Sequence, residues 1–271
     1  LSLSMFEAKL ASASTFKKVL EAIRELLTDA TWDCRESGIA LQAMDSSHVA
    51  LVALKLRAEG FDEYRCDRSI SLGLNLTNMS KIVKTAANDD SLVLRAKEDD
   101  DTLALIFQSP NEDRYCQYEI KLMDLDAEHL GIPDTEYECV VSMPSSEFSR
   151  IVRDLGQIGE SLTITCTKSG IIFSSKGDLG TGSITLRQTT YMDDEEDNKG
   201  VSINMTSPCC VTFASKYLNN FAKASPLSNA VQLSLSSDVP IVVEYKIEDL
   251  GYIRYYLAPK IDDDSEIKTE A

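Results

Sequence analysis

The 271-residue sequence predicts an α+β protein made by tandem duplication of one β-rich domain with two helices per copy. Phe16, Val19 and Leu20 recur as Phe148, Ile151 and Val152, and the same spacing of 132 carries Cys34, Ser37, Gly38 and Ile39 onto Cys166, Ser169, Gly170 and Ile171. Met79, Ile82 and Lys84 map onto Leu218, Phe221 and Lys223 at a spacing of 139, as do Leu92 and Leu94 onto Val231 and Leu233. The seven-residue increase is supplied by the acidic run Asp193–Gly200 (DDEEDNKG), as expected when loops absorb the length difference between repeats. Between the copies lies Leu122–Tyr137 (LMDLDAEHLGIPDTEY), which has neither helical nor strand periodicity and reads as a joint.

In order, Met5–Leu10 alternates apolar and polar residues as a half-buried strand does. Ser14 opens a helix to Ala30 as its N-cap, with Phe16, Val19, Leu20, Ile23 and Leu27 on one face. Trp32–Arg35 and Ile39–Met44 flank a Glu36-Ser37-Gly38 turn, and Val49–Leu56, Phe61–Cys66 and Ser69–Asn75 continue as strands. A second helix spans Thr77–Ala87, followed by strands Ser91–Lys97, Thr102–Gln108 and Arg114–Leu122. The second copy restarts with strand Tyr137–Met143 and a helix over Ser145–Gly156 whose apolar face is Phe148, Ile151, Val152 and Leu155; its second helix spans Ser215–Ser225. The expected segments are therefore a remnant of expression at 1–4, domains at 5–121 and 138–261, a connector at 122–137 and an acidic tail at 262–271.

Composition is that of a soluble globular protein, with 43% apolar and 26% charged residues. No apolar run approaches the roughly 20 residues a membrane helix needs, so no membrane partner is expected and an intracellular setting is. Seven cysteines without a C-x-x-C pair fit a reducing compartment and read as free thiols. Only His48 and His129 are available, neither at ligand spacing, so no metal is expected. The acidic clusters Glu98–Asp101, Asp193–Asp197 and Asp262–Asp264 lack the glycine and glutamate of a calcium loop. No phosphate-binding glycine loop and no nucleophile elbow occurs, so neither a cofactor nor a catalytic residue is predicted.

The net charge of −17, taken alone, argues against nucleic acid. Its distribution reverses that conclusion. The four predicted helices carry nine basic residues (Lys17, Lys18, Arg24, Lys81, Lys84, Arg150, Arg153, Lys216 and Lys223) against five acidic ones, while the rest of the chain is strongly negative. On a single helix these would be read as a solvated outer face. Four helices at equivalent repeat positions form a surface suited to a polyanion, with salt-sensitive, sequence-independent phosphate contacts.

Several strings then resemble the eukaryotic sliding clamp family of proliferating cell nuclear antigen: Met44–Val52 (MDSSHVALV), Cys66-Asp67-Arg68, Ser80–Lys84 (SKIVK), LMDLD and LGIP in the connector, and Glu244–Lys260 (EYKIEDLGYIRYYLAPK). The resemblance covers Met5–Ile261. It implies a non-enzymatic homotrimeric ring of six similar domains around duplex DNA, with helices inside and sheets outside, located in the nucleus. The nine helix cations match DNA-facing positions of that family, with Arg114 and Lys121 adding to them. Strand Asp113–Lys121 is expected to pair with Thr181–Gln188 of the next subunit, with Tyr118 and Ile184 packing there.

A groove for the short hydrophobic peptide (PIP box) of polymerases, ligase, nucleases and repair proteins is implied at Met44, Val49, Leu51, Leu130, Ile132, Pro240 and Tyr256. Ala214, Ala258 and Pro259 would hold the peptide's glutamine and His48 would lie at the rim. Lys168 matches the lysine that carries ubiquitin, and a loader ATPase is implied as a partner. Two rival readings are an acidic β-rich scaffold or chaperone for basic proteins and a checkpoint-type clamp subunit that needs different partners.

Overall fold

The computed structural model describes residues 5–97, 100–126, 130–132, 135–189 and 200–261. Leu1–Ser4, His129, and most of the three acidic loops and the tail lie outside them. The chain forms two compact units, one comprising Leu1–Asp134, Lys223–Asn229 and Glu244–Tyr255, the other Thr135–Ala222, Ala230–Val243 and Tyr256–Ala271.

The elements begin with β1 (Met5–Leu10), α1 (Ala13–Ile23), β2 (Asp29–Arg35), β3 (Gly38–Met44), β4 (Ala50–Arg57), β5 (Glu63–Cys66), β6 (Ile70–Asn75), α2 (Leu76–Val83), β7 (Ser91–Lys97), β8 (Thr102–Gln108) and β9 (Tyr115–Lys121). There follow β10 (Cys139–Pro144), α3 (Ser145–Gly156), β11 (Ser161–Thr167), β12 (Gly170–Gly177), β13 (Gly180–Leu186), β14 (Ser202–Met205), β15 (Cys209–Ala214) and α4 (Ser215–Phe221). A 3-10 segment (Ala222–Leu227), β16 (Ala230–Leu235), β17 (Ile241–Ile247) and β18 (Gly251–Leu257) complete the described chain.

The duplication is visible in the pairing. In the first unit β1 lies between β5 and β7, and β2 lies between β6 and β3, with β4 next. In the second, β10 lies between β14 and β16, and β11 lies between β15 and β12, with β13 next. Registers repeat too: Cys34 opposes Ile39 and Arg35 opposes Gly38, as Cys166 opposes Ile171 and Thr167 opposes Gly170. The two turn glycines have φ of 129° and 151°, a region L side chains rarely adopt, which explains why both copies retain glycine there.

Alternation places Phe6, Ala8 and Leu10 of β1, and Leu162, Ile164 and Cys166 of β11, in their cores. In the first unit Phe16 of α1 packs against Trp32 with ring centroids 5.6 Å apart, and the buried Tyr255 hydroxyl donates to Ala22 O at 2.8 Å. In the second, α3 packs on β10, β11, β12, β13 and β16 through the stripe its spacing predicted.

The other helices differ from expectation at their ends. Ser12, not Ser14, caps α1, its hydroxyl accepting from Ser14 N at 3.2 Å. That helix stops at Ile23, well short of Ala30. Leu26 and Leu27 remain buried in the turn that follows, so the apolar period outlasts the helix, and Asp29 is already paired with Asn75 of β6. Helix α2 runs from Leu76 to Val83, capped by Asn75, whose Oδ1 accepts from Asn78 N at 2.8 Å. After Phe221, α4 tightens into the 3-10 segment containing Pro226, which has no N–H to continue an α-helix.

Candidate functional site

The cations predicted to face DNA fall into three groups. Lys18, Lys81, Lys121 and Lys223 are exposed and make no ion pair among the described residues, and Lys216 lies over the Tyr217 ring, 5.0 Å from its centroid. Arg24 and Lys84 share Glu21, at 2.8 and 3.1 Å, a bridge from α1 to α2; Arg150 and Arg153 share Asp154, at 3.8 and 3.0 Å. Lys17 donates to Ala86 O at 2.5 Å and to Asn88 Oδ1 at 3.1 Å. Arg114 is held at 2.5 Å by Asp90, a nearly buried carboxylate that also accepts from Ala87 N at 2.7 Å, so its guanidinium braces a turn as well as facing solvent.

Burial works against the Glu21 charge, but hydrogen bonds from Lys84 and Arg24 outweigh it and hold the carboxyl below its ordinary value of 4.5. A carboxyl depressed on folding stabilises the protein above its unfolded pKa, and that contribution is lost as pH falls through the folded value. Replacing Glu21 by glutamine should therefore cost stability near neutral pH, with the difference vanishing in acid; denaturant titrations at the two pH values check this.

In the first unit the groove candidates gather around a loop whose hub is Asp45. Its Oδ1 accepts from Val49 N at 2.8 Å and Ala50 N at 2.9 Å, and its Oδ2 from Ser47 N at 3.2 Å. These bonds hold His48 at φ 55° and exposed, with Met44 and Val49 half-buried beside it. A cleft of about 300 Å³ is lined by Met44, His48, Leu125 and Leu130. Gln42 Nε2 donates to Leu130 O at 2.7 Å, fixing the connector at the cleft wall. Leu130 and Ile132 are 38% and 39% exposed, apolar side chains with little of their own to cover them. Ile132 lines a neighbouring cleft with Leu41, Leu54 and Tyr252, so the two connector residues serve adjoining depressions. Leu51 is buried and belongs to the core.

Sequence reasoning missed what docks the connector. Met123 N donates to Gly73 O at 2.8 Å, and a Cβ on Gly73 would lie 2.0 Å from Met123 O. Only a bare backbone admits this approach, and a glycine inside a strand was the available signal. Gly73→Ala is expected to expel the connector, costing about 1–3 kcal/mol and raising protease cleavage near Leu122, read by denaturant titration and limited proteolysis.

In the second unit Pro240 and Ala258 are exposed while Ala214, Tyr256 and Pro259 are half-buried. Lys260 N donates to Thr212 O at 2.8 Å and its Nζ to Ser161 Oγ at 2.6 Å, holding the segment after β18 along β15, two residues from Ala214. Lys168 is exposed in the β11–β12 turn, where the Thr167 and Ser169 hydroxyls are 2.8 Å apart.

Strand β9 ends one sheet and β13 ends another, each with one edge unpaired among the described strands. Tyr118 and Ile184 are half-buried on them, and Tyr118 packs against Phe107 with centroids 6.0 Å apart. Tyr115 on β9 and Leu179 in the turn leading into β13, at 61% and 81% exposure, are large apolar side chains that the sequence did not single out. The seven cysteines are unbridged, but Cys139, Cys166 and Cys209, on three separate strands, meet in the core, which no sequence spacing announced.

A profile of the proliferating cell nuclear antigen N-terminal domain matches residues 5–129, and a profile of the C-terminal domain of the same antigen matches residues 131–260. Together they cover both copies of the duplicated fold. The chain therefore belongs to the proliferating cell nuclear antigen family and is a sliding clamp, a non-enzymatic protein that associates with itself and acts on DNA with polymerase-type partners.

Proposed function

We propose that this clamp is a nuclear processivity factor, a homotrimer that encircles duplex DNA, is loaded by an ATPase and tethers polymerases, ligase, nucleases and other proteins through a hydrophobic peptide motif. The observation that carries this reading is the placement of unpaired lysines on helices of both copies, in a chain whose net charge is −17. The acidic remainder repels a polyanion while the helix cations attract it, so weak phosphate contacts permit sliding and closure of the ring supplies retention. A scaffold for basic proteins without DNA would have no use for that segregation.

The open edges of β9 and β13 support ring closure, since an unpaired edge, such as that of β9 with its exposed Tyr115, is otherwise an aggregation site. We assign subunit pairing to these strands, with Tyr118 and Ile184 packing across. Residues 122–137 then serve as the joint between the copies, and their Leu130 and Ile132 as partner contacts. Lys168 is the proposed ubiquitin acceptor, held in solvent by its turn.

Solution mass tests the assembly. Light scattering should give three times the 30.0 kDa of the chain at micromolar concentration, and a monomer there would contradict the ring. The Glu21→Gln change has a second expected result, because it releases Arg24 and Lys84 from their shared carboxylate. DNA affinity at low salt should rise and its salt slope steepen, measured by fluorescence anisotropy across a salt series.

A further inference from the structure

Among the described residues one cluster of metal-ligating side chains lies outside these surfaces, in the core of the second unit. The Sγ atoms of Cys139 on β10, Cys166 on β11 and Cys209 on β15 all lie within 4.8 Å of one another, and all three residues are buried. Cys166 and Cys209 oppose each other directly in the β11–β15 register, whereas Cys139 comes from a strand of a different sheet. Three sulfurs from two sheets thus converge on one point.

We infer that Cys139, Cys166 and Cys209 form a trigonal three-sulfur site for a soft monovalent cation, Cu(I), that ties the two sheets of the second unit together. Size permits it: a metal about 2.3 Å from each sulfur sets the sulfurs about 4 Å apart in a plane, compatible with a cluster whose sulfurs all lie within 4.8 Å of one another. Ligand chemistry selects the ion. Calcium and magnesium require oxygen ligands, and zinc in a closed site takes four ligands, whereas thiolate sets favour Cu(I). The nearest fourth candidate in sequence, Cys210, is exposed and its sulfur accepts from Thr165 Oγ1 at 3.3 Å, on the other face of β15.

On binding, one Cu(I) enters, three Cu–S bonds form, the three thiol protons leave to solvent, and no electron is transferred. Affinity should accordingly rise with pH.

The test uses the full chain, reduced and anaerobic, titrated against the chromophoric Cu(I)–bicinchoninate complex. The chain should remove one copper per protomer and unfold several degrees higher when loaded. The Cys66→Ser/Cys116→Ser/Cys210→Ser variant should retain that copper, and Cys209→Val, which preserves an apolar side chain in the core, should lose it. Copper retained by Cys209→Val, or lost from the triple variant, overturns the assignment. Should Cys209→Val fail to fold, X-ray absorption at the copper edge of the unmodified chain decides. Three sulfur neighbours are expected; two sulfurs, or nitrogen or oxygen neighbours, exclude the site.

Discussion

Replacing Leu130 and Ile132 together by alanine is expected to abolish binding of a PIP-box peptide while leaving the trimer intact. Each side chain is more than a third exposed, and each lines its own depression, Leu130 with Met44 and His48, Ile132 with Leu41 and Tyr252. Truncating a central apolar anchor in a peptide groove commonly costs about 1–3 kcal/mol, or roughly five- to 150-fold in affinity. Because the two serve separate depressions, their losses should be close to additive. Titration calorimetry with the peptide measures the loss, and light scattering checks the assembly. Loss of the trimer with unchanged peptide affinity per folded chain would return the connector to a purely structural role.

The second large effect is on DNA. Changing Lys18, Lys81 and Lys223 to alanine removes cations that have no carboxylate partner, so their full charge is offered to phosphates. The slope of log K against log salt should become shallower by about 0.9 for each lysine that had been in contact. Arg24 and Lys84 are partly neutralised by Glu21, and Arg150 and Arg153 by Asp154, so removing those four should change the slope less per residue. Equal slopes for the two sets would mean that pairing in the free protein does not govern which cations meet DNA.

Much of this was legible in the sequence because duplication writes each signal twice. The Gly38 and Gly170 turns, the Phe16 and Phe148 helices and the strands carrying Leu92 and Val231 specify one fold from two sets of residues, and the pairing repeats them. Helix ends were less legible. Leu26 and Leu27 continue the apolar period because the core needs them, not because the helix does, and no glycine or proline marks the stop at Ile23. The candidate site was legible at its apolar connector residues, which stand out in an acidic stretch. It was not legible at Asp45, whose carboxylate gathers the N–H groups of Ser47, Val49 and Ala50 with no periodic signal, or at Gly73, whose role is a close approach to Met123, distant in sequence. The convergence of Cys139, Cys166 and Cys209 is of the same kind, since it depends on which strands become neighbours.

Under the proposed function, retention on DNA comes from topology and not from affinity. The most direct measurement loads the clamp onto a circular duplex with the proposed loader ATPase, isolates the complex, and follows dissociation before and after the circle is cut once. The predicted result is a long-lived complex on the intact circle and rapid escape through the ends after cutting, with both sets of cation variants still retained on the circle. Equal lifetimes on circular and linear DNA would contradict encirclement.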